Sequence, residues 1–150
     1  MKRLLTVLAF LAVFPGVAGA ASPRFLPLDV HLDTPVPVAA WQFELKDANG
    51  AMTVVGVENG GHPAYPRAPY YDREALAQGG APRIVVADYS LAEANRLPSG
   101  RVRLATLHLM LDGNPDFDLR LIAAAGPDGG ALDASISLAA RTNNLQETSR

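Results

Sequence analysis

The segment ENGGHPAYPRAPYYDRE, residues 58–74, interleaves Tyr65, Tyr70 and Tyr71 with Arg67 and Arg73. Tyrosine offers a broad amphipathic surface at small rotamer cost, and arginine adds a planar fork of hydrogen-bond donors. Tyr65, Arg67, Tyr70, Tyr71 and Arg73 are therefore the candidate binding residues. Their partner is an unknown protein or, through rings stacked on sugar C–H groups, a carbohydrate. Pro63, Pro66 and Pro69 recur at every third position and favour a stiff, extended backbone. The same residues support a second reading. A long connection needs apolar anchors of its own, and tyrosines folded onto a domain edge would supply them while shielding an exposed strand.

Other chemistry is sparse. Without cysteine, thiol catalysis and thiolate metal sites are excluded. None of the serines sits in a Gly-x-Ser-x-Gly elbow. His31, His62 and His108 fall in three separate segments with no metal-binding spacing, and His108 reads as a partly buried strand residue. In DGNPDFD, Asp112, Asn114 and Asp116 place oxygen donors at every second position, as in the first half of a calcium loop. The loop motif requires glycine at its sixth position and glutamate at its twelfth; here Phe117 and Ala123 stand there, so an Asp/Asn-rich turn accounts for the cluster better. Glu44, Glu58, Glu74 and Glu93 form no recognisable acid–base pair. The expectation is a non-catalytic protein that needs no cofactor.

The first residues, MKRLLTVLAFLAVFPGVAGA, read as a secretory signal peptide. Lys2 and Arg3 precede the apolar run Leu4–Phe14, Pro15-Gly16 breaks it, and Ala18-x-Ala20 marks cleavage after Ala20. The run is shorter than the roughly 20 residues of a membrane-spanning helix. The expected organisation is a signal peptide at 1–20, a domain at 21–140 and a flexible polar tail at 141–150, in a secreted or periplasmic protein with no membrane span after cleavage. The formal net charge is −2, and losing Lys2 and Arg3 makes it more acidic, which disfavours nucleic acid and anionic membranes as partners.

Alternation of apolar and polar residues supplies the scaffold. LDVHLD sets Leu28, Val30 and Leu32 against Asp29, His31 and Asp33, and AWQFELK sets Trp41, Phe43 and Leu45 against Gln42, Glu44 and Lys46. Period two marks a strand with one buried face. MTVVGVE and RIVVADY are more continuously apolar and read as strands shielded on both sides or capped by a loop. In RVRLATLHLML, Val102, Leu104, Thr106, His108 and Met110 oppose Arg103, Ala105, Leu107, Leu109 and Leu111. With FDLRLIAA and ALDASISL this makes about seven strands. Turn residues separate them at 47–50, 112–115 and 126–130, the first and last reading as hairpins. DREALAQGG and SLAEANRLPSG each allow a short helix, the second opened by a Ser90-x-x-Glu93 capping box. The fold class is all-β, a β-sandwich with one or two short helical turns in its loops.

The order DVHLDT, VAAWQFELK, VVGVENG, a long loop, RIVVADYS and LPSGRVRLATLHLML resembles the cohesin-like domains of the carbohydrate-binding-module type of β-sandwich, over Leu28 to Leu138. The resemblance rests on strand pattern. At the end of the second strand the chain carries Lys46-Asp47-Ala48-Asn49-Gly50 where cohesins tend to have Tyr-Asp-Pro. It implies a nine-stranded jelly roll that serves as a receptor for a partner module, usually dockerin, or as a part of a cell-surface scaffold.

Overall fold

The computed structural model of the protein describes residues 22–141, so the expected signal peptide and residues 142–150 lie outside the described residues. Alternating side chains produce strands β1 (Arg24–Thr34), β2 (Ala40–Asp47), β3 (Met52–Asn59), β4 (Tyr70–Tyr71), β5 (Arg83–Tyr89), β6 (Gly100–Leu111), β7 (Phe117–Ala125) and β8 (Ser135–Ala140). They form two four-stranded sheets, ordered β3-β6-β1-β8 and β4-β5-β2-β7, with antiparallel neighbours throughout. The chain is an all-β sandwich with eight strands among the described residues, one fewer than the resemblance implies. The strand absent from the period-two reading is β4, which lies inside the tyrosine loop and covers the edge of β5.

The core lies between the sheets. Leu28, Val30 and Leu32 of β1 and Leu107, Leu109 and Leu111 of β6 face Trp41, Phe43 and Leu45 of β2 and Ile84 and Val86 of β5. Each such side chain, fully buried, contributes about 1.5–3 kcal/mol. The expectation for β1 and β2 holds. That for β6 fails midway, because Leu104 is an extra residue bulged against Val30 and His31. One inserted residue reverses every side chain beyond it. Leu104 and Ala105 are consecutively buried, and Arg101 and Arg103 share the outer face with Thr106, His108 and Met110. A second bulge leaves Val55 exposed on the edge strand β3, so that strand is not shielded on both sides.

The turn at 47–50 is not a hairpin but passes from one sheet to the other, as does 112–115. The turn at 126–130 does close a short antiparallel pairing, Ala125 with Ala131, before the chain crosses to β8 in the other sheet. Turn chemistry specifies a reversal of the backbone, not which sheet receives the next strand. Asp47 organises two of these crossings. Its Oδ1 accepts from the backbone N–H of Asn49 and Asp116, and its Oδ2 from that of Met52.

The short helix α1 (Arg73–Ala77) begins where expected, with Asp72 accepting from the N–H groups of Glu74 and Ala75. The second expected helix is only a 3-10 turn at Ala94–Arg96, and Ser90 does not cap it. Ser90 Oγ instead accepts from Ala92 N–H, and Leu97 is extended ahead of Pro98, as steric contact with the proline ring requires.

Candidate functional site

The outer face of the second sheet carries the most developed surface. Register places side chains there in rows: Tyr89, Ala40 and Ala125; then Tyr70, Ala87, Gln42 and Ala123; then Val85, Glu44 and Arg120; then Arg83, Lys46 and Asp118. The first two rows enclose an open depression of about 310 Å³. Four alanines form its floor, Gln42 is the polar group among them, and Tyr70 and Tyr89 form one wall, stacked with ring centroids 6.0 Å apart. These two tyrosines are 53% and 49% exposed, and Leu91, two residues beyond the end of β5, is 92% exposed. The alanine floor depends on another bulge. Ile122 is inserted opposite Gln42 and Phe43, so Ala123 and Ala125 turn outward while Ala124 turns into the core.

Beside the shelf lies an ionic cluster. Glu44 is buried beneath Arg83, which donates a short hydrogen bond to Oε1, and Arg120, whose Nη2 is 2.9 Å from Oε2. Burial works to raise the Glu44 pKa, but the Arg83 hydrogen bond and the charges of Arg83, Arg120 and Lys46 outweigh it and hold the carboxyl below its ordinary value. Lys46 pairs with Asp118 at 3.0 Å. Three cations against two carboxylates give this end of the face a cationic surplus beside an apolar shelf.

The sequence-derived site residues divide between surface and interior. Tyr70 lies on the face just described. Tyr65 does not: it is 4% exposed, its hydroxyl donates to Val38 O at 2.7 Å, and its ring meets Trp41 edge-on at 6.1 Å. Burial, with a further contribution from Asp88, pushes its hydroxyl above the ordinary tyrosine range. Tyr71 is half-buried against the core, with the Arg73 guanidinium 5.5 Å from its ring centroid. Arg67, Tyr70, Tyr71, Arg73 and Asp88 line an adjoining pocket, which shares Tyr70 and Asp88 with the alanine-floored depression. Burial raises the Asp88 carboxyl, against the Tyr89 N–H and the charge of Arg67. The three tyrosines therefore form no shared exposed platform. The proline-spaced loop pins itself with Tyr65 and Tyr71 and presents Tyr70.

The calcium candidates do not converge. Among the described residues, no three His, Asp or Glu side chains are grouped so as to hold a metal. The 112–115 turn is instead latched to the 47–50 turn, with Asn49 donating to Asn114 O and Ala48 N–H to Asp116 O. Among the described residues, no helix is long and apolar enough to cross a membrane.

The sequence reading missed Ala40, Gln42, Ala87, Tyr89, Ala123 and Ala125. A signal was present in β2 and β5: alanines occupy positions whose parity is that of Gln42 and Glu44, where a solvated face would carry polar side chains. In IAAA, 122–125, the inserted residue could not be located without the partner strand.

The first sheet presents a different outer surface. Asp29 accepts from Thr106 Oγ1 at 2.6 Å and lies 3.0 Å from Arg141 Nη2 and 3.6 Å from Arg103 Nη1. Burial opposes ionisation of Asp29, yet the Thr106 hydrogen bond and the two guanidiniums depress its pKa below the ordinary 3.8. Glu58 bridges Arg141 and His108, and Phe25 stacks on His108. Arg141, expected to begin the flexible tail, is thus tied into the sheet.

No family model matches the chain, and no curated protein matches it. Among solved structures, the chain is similar to one in the crystal structure of a type I cohesin–dockerin complex from Clostridium thermocellum. The match has a TM-score of 0.52 at 11% identity and covers 77% of this chain and 84% of that one. The fold is cohesin-like.

Proposed function

We propose that this protein is a non-catalytic docking module whose outer β4-β5-β2-β7 face receives a protein partner. The observation that carries this reading is the alanine-floored shelf walled by the stacked pair Tyr70 and Tyr89, set directly beside Arg83 and Arg120. An open apolar floor with aromatic edges suits the central contacts of an interface, and a charged margin suits its rim and register. The matching partner presents small or aliphatic side chains to the shelf and carboxylates toward Arg83 and Arg120. The cohesin-like fold supports the reading, since the similar solved structure is a complex between modules. The signal-peptide pattern of residues 1–20 supports a place outside the cytoplasm.

Ala123→Arg tests it. The added side chain fills the shelf from an outward position and leaves the core intact. The purified wild-type chain and the variant, each immobilised, are exposed to the culture medium and periplasmic extract of the source cells. Any partner recovered is then titrated against both proteins. A loss of roughly tenfold or more in affinity is expected for the variant. Equal retention of every partner at an unchanged melting temperature refutes the assignment of this face.

A further inference from the structure

A second cavity, of about 410 Å³, shares no residue with the docking face. It opens where the loop after β3 meets the segment leading into β6, and is lined by Gly60, Gly61, His62, Pro63, Pro98, Ser99, Arg101, Val102 and Arg103. No carboxylate is among them. The bulge at Leu104 turns Arg101 and Arg103 to this side of the sheet.

The polar side chains that line the cavity all offer hydrogen-bond donors. Arg103 Nε donates to Gly60 O at 3.1 Å, which fixes the guanidinium plane against the loop. Gly60 is obligatory there, because a Cβ would lie 1.7 Å from the Arg103 carbonyl oxygen. Gly61 has φ 82°, and a Cβ on it would come within 3.3 Å of Arg103 Nη2, so glycine leaves that edge of the fork uncovered. His62 Nδ1 accepts from Ala64 N–H at 3.1 Å. That bond places the ring proton on Nε2, which has no partner among the described residues and is a free donor. The ring is braced edge-on by Tyr65, with centroids 6.5 Å apart.

The acids that pair with the arginines stand outside the cavity lining. Arg101 pairs with Asp33 at 3.2 Å in an exposed contact, of a kind that contributes little and exchanges readily. Asp29, at 3.6 Å from Arg103, is already engaged by Arg141 and Thr106. The geometry points to an oxyanion site in this cavity, taking the sulfate, phosphate or carboxylate of a molecule no larger than a monosaccharide. Arg101 and Arg103 would grip the anion and His62 Nε2–H would donate to it.

The experiment follows arginine Nε–Hε and His62 ring signals by ¹⁵N NMR. The full chain is titrated with sulfate, phosphate or glucuronate, using chloride at matched ionic strength and neutral glucose as controls. Saturable shifts at Arg101, Arg103 and His62 are expected with the oxyanions alone. Stronger binding of sulfate or phosphate assigns a tetrahedral anion, and stronger binding of glucuronate a sugar carboxylate; either supports the site. Arg101→Gln is expected to weaken binding roughly tenfold. His62→Asn, which keeps an acceptor for Ala64 N–H but removes the Nε2 donor, is expected to weaken it by a similar factor, and Arg24→Gln, opposite Leu111 at the far end of the sheet, to leave it unchanged. The proposal is overturned if the shifts do not saturate, if chloride reproduces them, or if Arg101→Gln binds like the wild type. Arg101 is exposed, so its variant decides the matter even where His62→Asn alters stability.

Discussion

Replacing Tyr65 with phenylalanine removes one oxygen atom and tests whether the tyrosine loop is pinned as described. The hydroxyl donates to Val38 O at 2.7 Å, and both residues are buried. Phenylalanine fills the same space and keeps the edge contact with Trp41 but leaves the Val38 carbonyl without that donor. Stranding a buried acceptor costs about 1–3 kcal/mol. For a domain of this size each kcal/mol is about 4 °C in Tm, so the expected loss is roughly 4–12 °C. Urea and thermal unfolding followed through Trp41 report it well, because Trp41 is the single tryptophan of the chain, 2% exposed, and lies against Tyr65. Tyr70→Phe is the matched control. Its ring stands on the surface, and the change is expected to stay within about 0.5 kcal/mol. If Tyr65→Phe also stays within that margin, the hydroxyl does not anchor the loop and the division between Tyr65 and Tyr70 is wrong.

Asp47→Ala removes an acceptor shared by three backbone N–H groups and should lower stability by about 2–4 kcal/mol in urea unfolding. Asp47→Asn should fall between it and the wild type, since an amide nitrogen would then face the Met52 N–H. The Asp29 carboxyl, depressed by Thr106, Arg141 and Arg103 against the effect of burial, contributes stability that is present above pH 3.8 and is lost as pH falls through its lower folded value. Glu44 and Asp47 are depressed as well and share this acid limb. Melting temperatures of wild type and Asp29→Asn should therefore differ at pH 6 and converge toward pH 2; a constant difference would mean that ionisation of Asp29 is not what stabilises the network.

The strands were legible because period two is a local property. Trp41, Phe43 and Leu45 point inward whatever else the chain does, since one face of the strand must leave water. The short helix in DREALAQGG was legible for the same reason, because the bonds that start it, from Glu74 and Ala75 N–H to Asp72, span at most three residues. Ser90 shows the limit of such motifs. Its capping box was formally correct, but Pro98 and the brevity of the segment left no helix to cap. The candidate site was legible only at Tyr70. Tyr65, Tyr70 and Tyr71 are chemically alike in sequence, and which of them is buried depends on how the loop returns to β5.

The sequence by itself determined the alternation, the turn positions and a thiol-free, mildly acidic composition, because each follows from residue identity and nearest neighbours. Tertiary structure alone decided three other things: that the turns cross between sheets, that Leu104 and Ile122 are inserted residues, and that four alanines from three strands form one floor. Each depends on register between segments far apart in the chain. A one-residue insertion costs little locally yet reverses the facing of every side chain beyond it. The arginines of the anion cavity and the alanines of the docking shelf both owe their exposure to such insertions.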